Sequence, residues 1–171
     1  MNIFILDNDP KKAAQYHCDK HVCKMTLESA QLLSTAHHVL DGERRARRVV
    51  PLILRPTHVN HPCAVWTRRG YENYNWLHQL MRGLLEEFKL RYGHPHTYEK
   101  LCDQLATVPE MIGVGQTPFE QCMPDEYKNP RSAVKAYRAY YFGDKQRMAQ
   151  WRAPARVPLW WKQMEQNHVE A

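Results

Sequence analysis

The longest helical pattern in the chain covers residues 9–40, and it constrains the fold more than any other segment. Asp9 suits an N-cap position because its carboxylate accepts from the free backbone N–H groups of a first helical turn. Pro10 follows at the first helical position, where its missing N–H costs nothing. At about 100° per residue, apolar side chains recur along one side of this segment. The pattern therefore predicts one long amphipathic helix near the N-terminus.

A second, polar stripe follows the same predicted helix. Its members are spaced by three or four residues and are His17, His21, Lys24, Glu28, Gln31 and Thr35. Side chains at these spacings are neighbours on a helix surface. A solvated face usually alternates Glu with Lys or Arg, whereas histidine adds little to solubility, so we interpret the stripe as the wall of a groove. A plain solvated face is the alternative interpretation.

The rest of the chain also has mainly helical patterns. Helix start signals or helical spacing predict five further helices, at residues 60–66, 71–92, 97–106, 131–142 and 145–151. Prolines and weak periodicity predict two loops, at residues 44–56 and 107–130. Residues 2–6 are apolar and are expected to lie extended against the core. We predict an all-α protein: a single compact helical domain over residues 1–171, with a long central helix near the N-terminus and long irregular loops.

Length and composition restrict the class of protein. A chain of 171 residues suits one domain with a substantial core. No apolar run approaches the roughly 18–20 residues that cross a bilayer, and the first residues lack the basic start of a signal peptide. Five cysteines form an odd set without a tight framework, which favours reduced thiols. We therefore expect a cytoplasmic protein without a membrane partner.

The charge of the chain favours a polyanionic partner. Lys and Arg total 24 against 18 for Asp and Glu, which gives a formal net charge of +6. The excess is concentrated in residues 131–162, and basic patches of this kind attract nucleic acid first. In the helix predicted after Pro130, Arg131, Lys135 and Arg138 are assigned to phosphates, whereas the neighbouring tyrosines are expected in the core. A basic protein without such a partner is the alternative.

Histidines and cysteines also invite a metal-site interpretation. His17 and His21, four residues apart, are able to share one ion, and the residues that could complete a set are Cys18, Cys23, His61 and Cys63. Their spacing matches no standard zinc signature, and buried free cysteine is common packing material. We therefore predict no metal and no cofactor.

Three segments, taken in order, are similar to a known family. The first is the start MNIF with the helix segment DKHVCKMTLESAQLL, the second is NHPCAVWTRRGYENY, and the third is the last predicted helix followed by VPLWW. These segments span most of the chain. They resemble the small pyrimidine-dimer DNA glycosylase/AP lyase family, the endonuclease V-type repair enzymes of phages and bacteria, and the chain looks most like a phage branch.

The resemblance implies an all-α fold whose basic concave face holds bent duplex DNA and extrudes a base. In that family the N-terminal amine attacks the sugar C1′ and forms an imine, and a carboxylate on the first long helix assists. An ordinary peptide α-amino group has a pKa of about 8, so a fraction of it is neutral near pH 7. The bulky Asn2 disfavours removal of the first methionine, so the expected nucleophile is the amine of Met1.

Carried onto this sequence, the resemblance implies a catalytic set and a DNA-contacting set. The catalytic set is Met1, Asn2, His17, His21, Lys24 and Glu28. In it, Glu28 or His21 handles protons, while His17 and Lys24 stabilise charge. The DNA-contacting set is Arg55, His61, Trp66, Arg68, Arg69, Arg131, Lys135 and Arg138.

Two other functions stay open at this point. One is a nucleotide- or DNA-base-modifying phage enzyme with a His-rich site on the same fold. The other is a non-catalytic DNA-binding accessory protein. In each case the expected partner is double-stranded DNA or a nucleotide, in the host cytoplasm if the chain is phage-encoded.

Overall fold

The helix predicted over residues 9–40 is two helices in the computed structural model of the protein, which describes residues 1–169. Helix α1 covers Pro10–Tyr16 and helix α2 covers Asp19–Asp41. Asp9 does cap α1, since its Oδ1 accepts from the backbone nitrogens of Lys11 and Lys12. The prediction of one uninterrupted helix was wrong, because His17 and Cys18 have extended backbone angles between the two helices.

The break between α1 and α2 is held by side chains from distant elements. Arg91, whose side chain is buried, donates to the backbone oxygens of His17 and Gln15. The hydroxyl of Tyr141 accepts from the backbone nitrogen of Cys18 at 2.9 Å. These bonds satisfy peptide groups that a continuous helix would have satisfied itself, so the break costs little in lost hydrogen bonding.

The remaining helices are α3 (Glu43–Val49), α4 (Pro62–Arg69), α5 (Tyr71–Tyr92), α6 (Glu99–Gln104), α7 (Ala133–Lys145) and α8 (Leu159–Val169). Helices α4 to α7 match predicted helices with some changes of bounds, whereas α3 and α8 were not predicted. Two short 3₁₀ turns, Asp125–Tyr127 and Gln146–Met148, lie in the loops. The prediction of a loop over residues 44–56 was therefore wrong in part. Its first residues belong to α3, which ends before Pro51. No strand occurs within residues 1–169, and the all-α prediction is confirmed.

Two long helices, α2 and α5, form the centre of the domain. Helix α2 packs on α3, α4 and α5, while α5 also packs on α1 and α6. The apolar segment Ile3–Leu6 lies in the core, as predicted, and the ring of Phe4 packs against His21, Tyr140 and Tyr141. This burial fixes the direction in which the start of the chain emerges beside α2.

Close packing of α1 on α5 depends on Gly83. A Cβ added at Gly83 would lie 2.8 Å from Cβ of Ala14 and 3.6 Å from Cα of Lys11. Both helices would have to move apart, so Gly83→Ala is expected to destabilise the protein by about 1–3 kcal/mol despite alanine's better helix propensity. Urea unfolding measures the change. The control, Gln79→Ala, alters an exposed position of α5 and should leave the unfolding free energy nearly unchanged; equal stability of both variants would contradict the close contact.

Candidate functional site

The start of the chain lies against a carboxylate of α2. The α-amino nitrogen of Met1 is 3.8 Å from Oε2 of Glu28, and the backbone nitrogen of Asn2 donates to the same oxygen at 2.9 Å. One turn earlier on α2, Nζ of Lys24 lies 3.6 Å from the other oxygen, Oε1. Glu28 therefore lies between two amines. Glu28 itself is only 8% exposed, whereas the side chain of Lys24 is largely exposed.

The solvent-exposed surface of Met1 lies mostly on its backbone atoms. The side chain of Met1 is only 2% exposed, yet the residue as a whole is only partly buried. The accessible surface of this residue therefore lies mainly on main-chain atoms, which include the α-amino group. The buried methionine side chain holds the amine in place beside Glu28.

Asn2 fixes the position of the chain start. Its Nδ2 donates to the backbone oxygen of Cys122 at 2.8 Å, and its Oδ1 accepts from the hydroxyl of Tyr137 at 3.1 Å. The Tyr137 hydroxyl also accepts from the backbone nitrogen of Cys122. These bonds join the N-terminal segment, the loop before α7 and α7 itself. Asn2 thus holds the backbone that carries the amine of Met1.

The N-terminus of α4 forms another wall of the site. His61 caps this helix, because its Nδ1 accepts from the backbone nitrogen of Cys63 at 3.2 Å. Burial lowers the pKa of His61, and the Met1 amino group and His58 lower it further, against the opposing effect of Glu28. A His61 ring with a lowered pKa is mostly neutral near pH 7 and is able to accept a proton.

A pair of cysteines lies behind His61. Sγ of Cys63 donates to Sγ of Cys122 at 3.4 Å and approaches Oδ1 of Asn2 at 3.7 Å. Donation to Cys122 raises the pKa of the Cys63 thiol, and burial raises it further. The same bond lowers the pKa of Cys122.

Two histidines of the predicted catalytic set lie elsewhere, in the core. His17 is 0% exposed and donates from Nδ1 to the backbone oxygen of Ala13, and His21 is 3% exposed and packs on Phe4. Burial lowers the pKa of His17 to about 4, and burial together with the charges of His17, Lys145 and Lys24 lowers the pKa of His21 to about 3. Both rings are therefore neutral near pH 7 and covered by protein. The prediction that these side chains form one continuous polar stripe on a single helix was wrong, since the break at Cys18 separates His17 from α2.

The residues predicted to contact DNA differ in their exposure to solvent and in their contacts within the protein. Arg55, Arg131 and Lys135 are exposed, and Arg69 is exposed beside Glu120. Arg68 is partly buried and donates to the backbone oxygen of Val59. Arg55, Arg131 and Lys135 therefore lie at the surface, whereas Arg68 and Arg69 also have partners within the chain.

Two members of that predicted set are committed to intramolecular contacts. Arg138 donates to the backbone oxygen of Leu6 and pairs with Asp7, and its guanidinium lies over the rings of Tyr16 and Trp160. Trp66 is 1% exposed, and its indole nitrogen donates to the backbone oxygen of Thr117. In this structure, Trp66 therefore presents no ring face on which a base could stack.

Two clefts of the described surface lie away from the amine of Met1. One lies between α1, α5 and the segment that precedes α8, and another lies beside α3 and includes Arg55 and His38.

Comparisons with protein-family models, with curated proteins and with solved structures found no match. Among the helices of residues 1–169, none is both long and apolar enough to cross a membrane. The family resemblance of the sequence therefore stays a prediction.

Proposed function

We propose that this protein is an N-glycosylase/AP lyase-type enzyme that acts on DNA bases, with the Met1 amine as nucleophile and Glu28 as the acid–base group. The observation that supports it most directly is the 3.8 Å approach of the Met1 nitrogen to Oε2 of Glu28. A nucleophile and its proton acceptor within reach of each other is the arrangement that covalent catalysis needs. The exposed backbone of Met1 and its buried side chain support the same role.

The proposed reaction begins when the neutral amine attacks C1′ of a deoxyribose. An N–C1′ bond forms, the glycosidic bond breaks, and its electron pair leaves with the base, which takes up a proton. Loss of an amine proton and protonation of O4′ then open the sugar ring and give a protonated imine. In the lyase step, removal of a C2′ proton breaks the C3′–O bond and releases the phosphate. Glu28, beside the nitrogen, accepts and returns protons in these steps.

Cations around the amine suit a phosphate backbone. Lys24 lies 3.6 Å from Glu28 and is exposed, and Arg68, in the last turn of α4, donates to the backbone oxygen of Val59. Lys135 stands at the start of α7, the helix whose Tyr137 contacts Asn2. Phosphate contacts of this kind position a duplex without reading its sequence. The buried His17 and His21 do not contribute charge to this surface.

Borohydride trapping tests the proposal. Incubation with duplex DNA that carries one abasic site, followed by reduction, should give a covalent complex, because hydride addition to the imine carbon yields a stable secondary amine. Peptide mass spectrometry should place the link on the α-nitrogen of Met1, and intact mass should confirm that Met1 is present. A Gly-Ser extension before Met1 should abolish this link, while the same extension after Ala171 should not.

The outcomes separate the candidate functions. A link on a lysine side chain such as Lys24 would contradict the role of Met1. Tight duplex binding without any adduct would indicate the non-catalytic DNA-binding protein instead. Absence of both binding and adduct would remove DNA as the substrate.

A further inference from the structure

Three metal-ligating side chains converge beside the N-terminal amine. One ring nitrogen of His61 and the sulfur atoms of Cys63 and Cys122 all lie within 4.8 Å of one another. The two sulfur atoms are 3.4 Å apart. Ligands around a tetrahedral zinc ion are separated by roughly 3.3–3.8 Å, given bond lengths of about 2.0 Å to nitrogen and 2.3 Å to sulfur. Shifts of about 1 Å or less would therefore bring the three atoms to ligand distances.

The backbone around these ligands is already fixed. Both backbone groups of Cys122 are hydrogen-bonded, its nitrogen to the Tyr137 hydroxyl and its oxygen to Nδ2 of Asn2. Cys63 lies in the first turn of α4, and its backbone nitrogen donates to Nδ1 of His61. A fixed backbone lowers the cost of ordering ligands around an ion.

The three ligands come from two segments that are far apart in the sequence. His61 and Cys63 flank Pro62, and Cys122 belongs to the loop between α6 and α7. Each segment alone offers too few ligands, and the spacing matches no standard signature, so sequence reasoning predicted no metal. The fold brings Cys122 close to His61 and Cys63, and this proximity is the reason to consider a metal site here.

We propose that His61, Cys63 and Cys122 bind one divalent cation of the zinc class. Two thiolates and a neutral imidazole are the ligands that such a borderline-soft ion prefers over Mg²⁺ or Ca²⁺. The ion replaces the weak cap bond between His61 Nδ1 and the Cys63 nitrogen, and the two thiol protons pass to solvent on binding. Three protein ligands leave one coordination position for a water or for a ligand oxygen. The ion also ties the loop between α6 and α7 to the start of α4.

This assignment does not rest on the proposed glycosylase function. A different pair is an incomplete ligand set: Sγ of Cys102 lies 3.6 Å from Nε2 of His78, and no second thiol among residues 1–169 completes a group with them. Cys102→Ser is therefore a matched control, since it removes a buried thiol next to an imidazole without touching the proposed ligands.

Metal analysis of the protein, expressed with zinc and dialysed without chelator, tests the proposal. We expect about one zinc ion per chain. Cobalt added to the metal-free protein should give tetrahedral d–d bands with strong thiolate-to-cobalt charge-transfer absorption. Cys122→Ser and Cys63→Ser should lower metal affinity more than about tenfold, and Cys102→Ser should leave it unchanged.

A thiol count distinguishes the other uses of these cysteines. Unfolding in chelator should release five titratable thiols, the number in the sequence. A count lower by two, with a mass decrease that maps to Cys63 and Cys122, would show a disulfide and overturn the metal site. Five thiols without bound zinc, and no charge-transfer band after cobalt addition, would overturn it as well. The cobalt spectrum of the unaltered protein remains decisive if a serine variant does not fold.

Discussion

Glu28→Gln is expected to lower the rates of imine trapping and of strand cleavage at abasic sites by roughly 10²–10⁴-fold, the usual contribution of a positioned acid–base group. Oε2 of Glu28 lies 3.8 Å from the Met1 nitrogen and accepts from the Asn2 nitrogen. A glutamine oxygen keeps the second of these contacts, so the chain start should stay in place. It lacks the basicity to take a proton from the amine, and the chemical step should slow while DNA affinity changes little.

Single-turnover trapping at saturating enzyme separates chemistry from binding, because the observed rate then no longer depends on affinity. Glu86→Gln is the matched control, since Glu86 lies exposed on α5. Its trapping rate should equal that of the unaltered protein. A Glu28→Gln rate within about threefold of that control would contradict acid–base catalysis by Glu28, because a loss that small is far below the contribution of such groups.

Much of the fold is visible in local patterns. Helix α5 agrees with its predicted span because its apolar spacing is uninterrupted, with Gly70 before it and Gly93 at its C-cap. Helix α4, predicted over residues 60–66, begins at Pro62 because His61 provides a cap and Pro62 suits the first helical position. Local patterns did not show the break before α2. The bond from Arg91 to the His17 oxygen joins residues 74 positions apart, and no local spacing encodes it.

The candidate site, like the fold, has parts that follow from local sequence patterns and parts that depend on contacts between distant residues. Lys24 and Glu28 are one turn apart on a helix, so their approach follows from spacing alone. Met1 reaches Glu28 only because the apolar segment Ile3–Leu6 is buried in the core beside α2. Histidine content was a misleading signal, because His17 and His21 fill core space as neutral rings. Cys122 could not be assigned from sequence, since it lies 59 residues from its partner Cys63.

Arg91→Met is expected to lower the free energy of unfolding by about 3–5 kcal/mol, as removal of one partner of a buried ion pair does. The Arg91 side chain is fully buried and contacts Glu87 at 2.7 Å and Asp19 at 3.2 Å. It also donates to the backbone oxygens of His17 and Gln15, and these hydrogen bonds hold the break between α1 and α2. Methionine fills a similar volume but satisfies none of these acceptors. Urea unfolding followed by circular dichroism measures the loss.

Arg82→Met is the control on the same helix. Arg82 is about half exposed and lies 4.0 Å from Asp103, so its loss should cost less than about 1 kcal/mol. Similar losses for both variants would show that the buried network contributes no more than a surface pair.

The buried carboxylates explain where the cost of Arg91→Met arises. Asp19 keeps other partners, because it also accepts from the backbone nitrogen of Arg152 and lies near its guanidinium. Within residues 1–169, the carboxylate of Glu87 has hydrogen bonds only with Arg91. Glu87 is therefore the charge left uncompensated, and adding Glu87→Gln should restore part of the stability lost in Arg91→Met, whereas adding Asp19→Asn should not. If Glu87→Gln restores nothing, the cost lies in the backbone bonds at the break between α1 and α2 instead of in the buried charge.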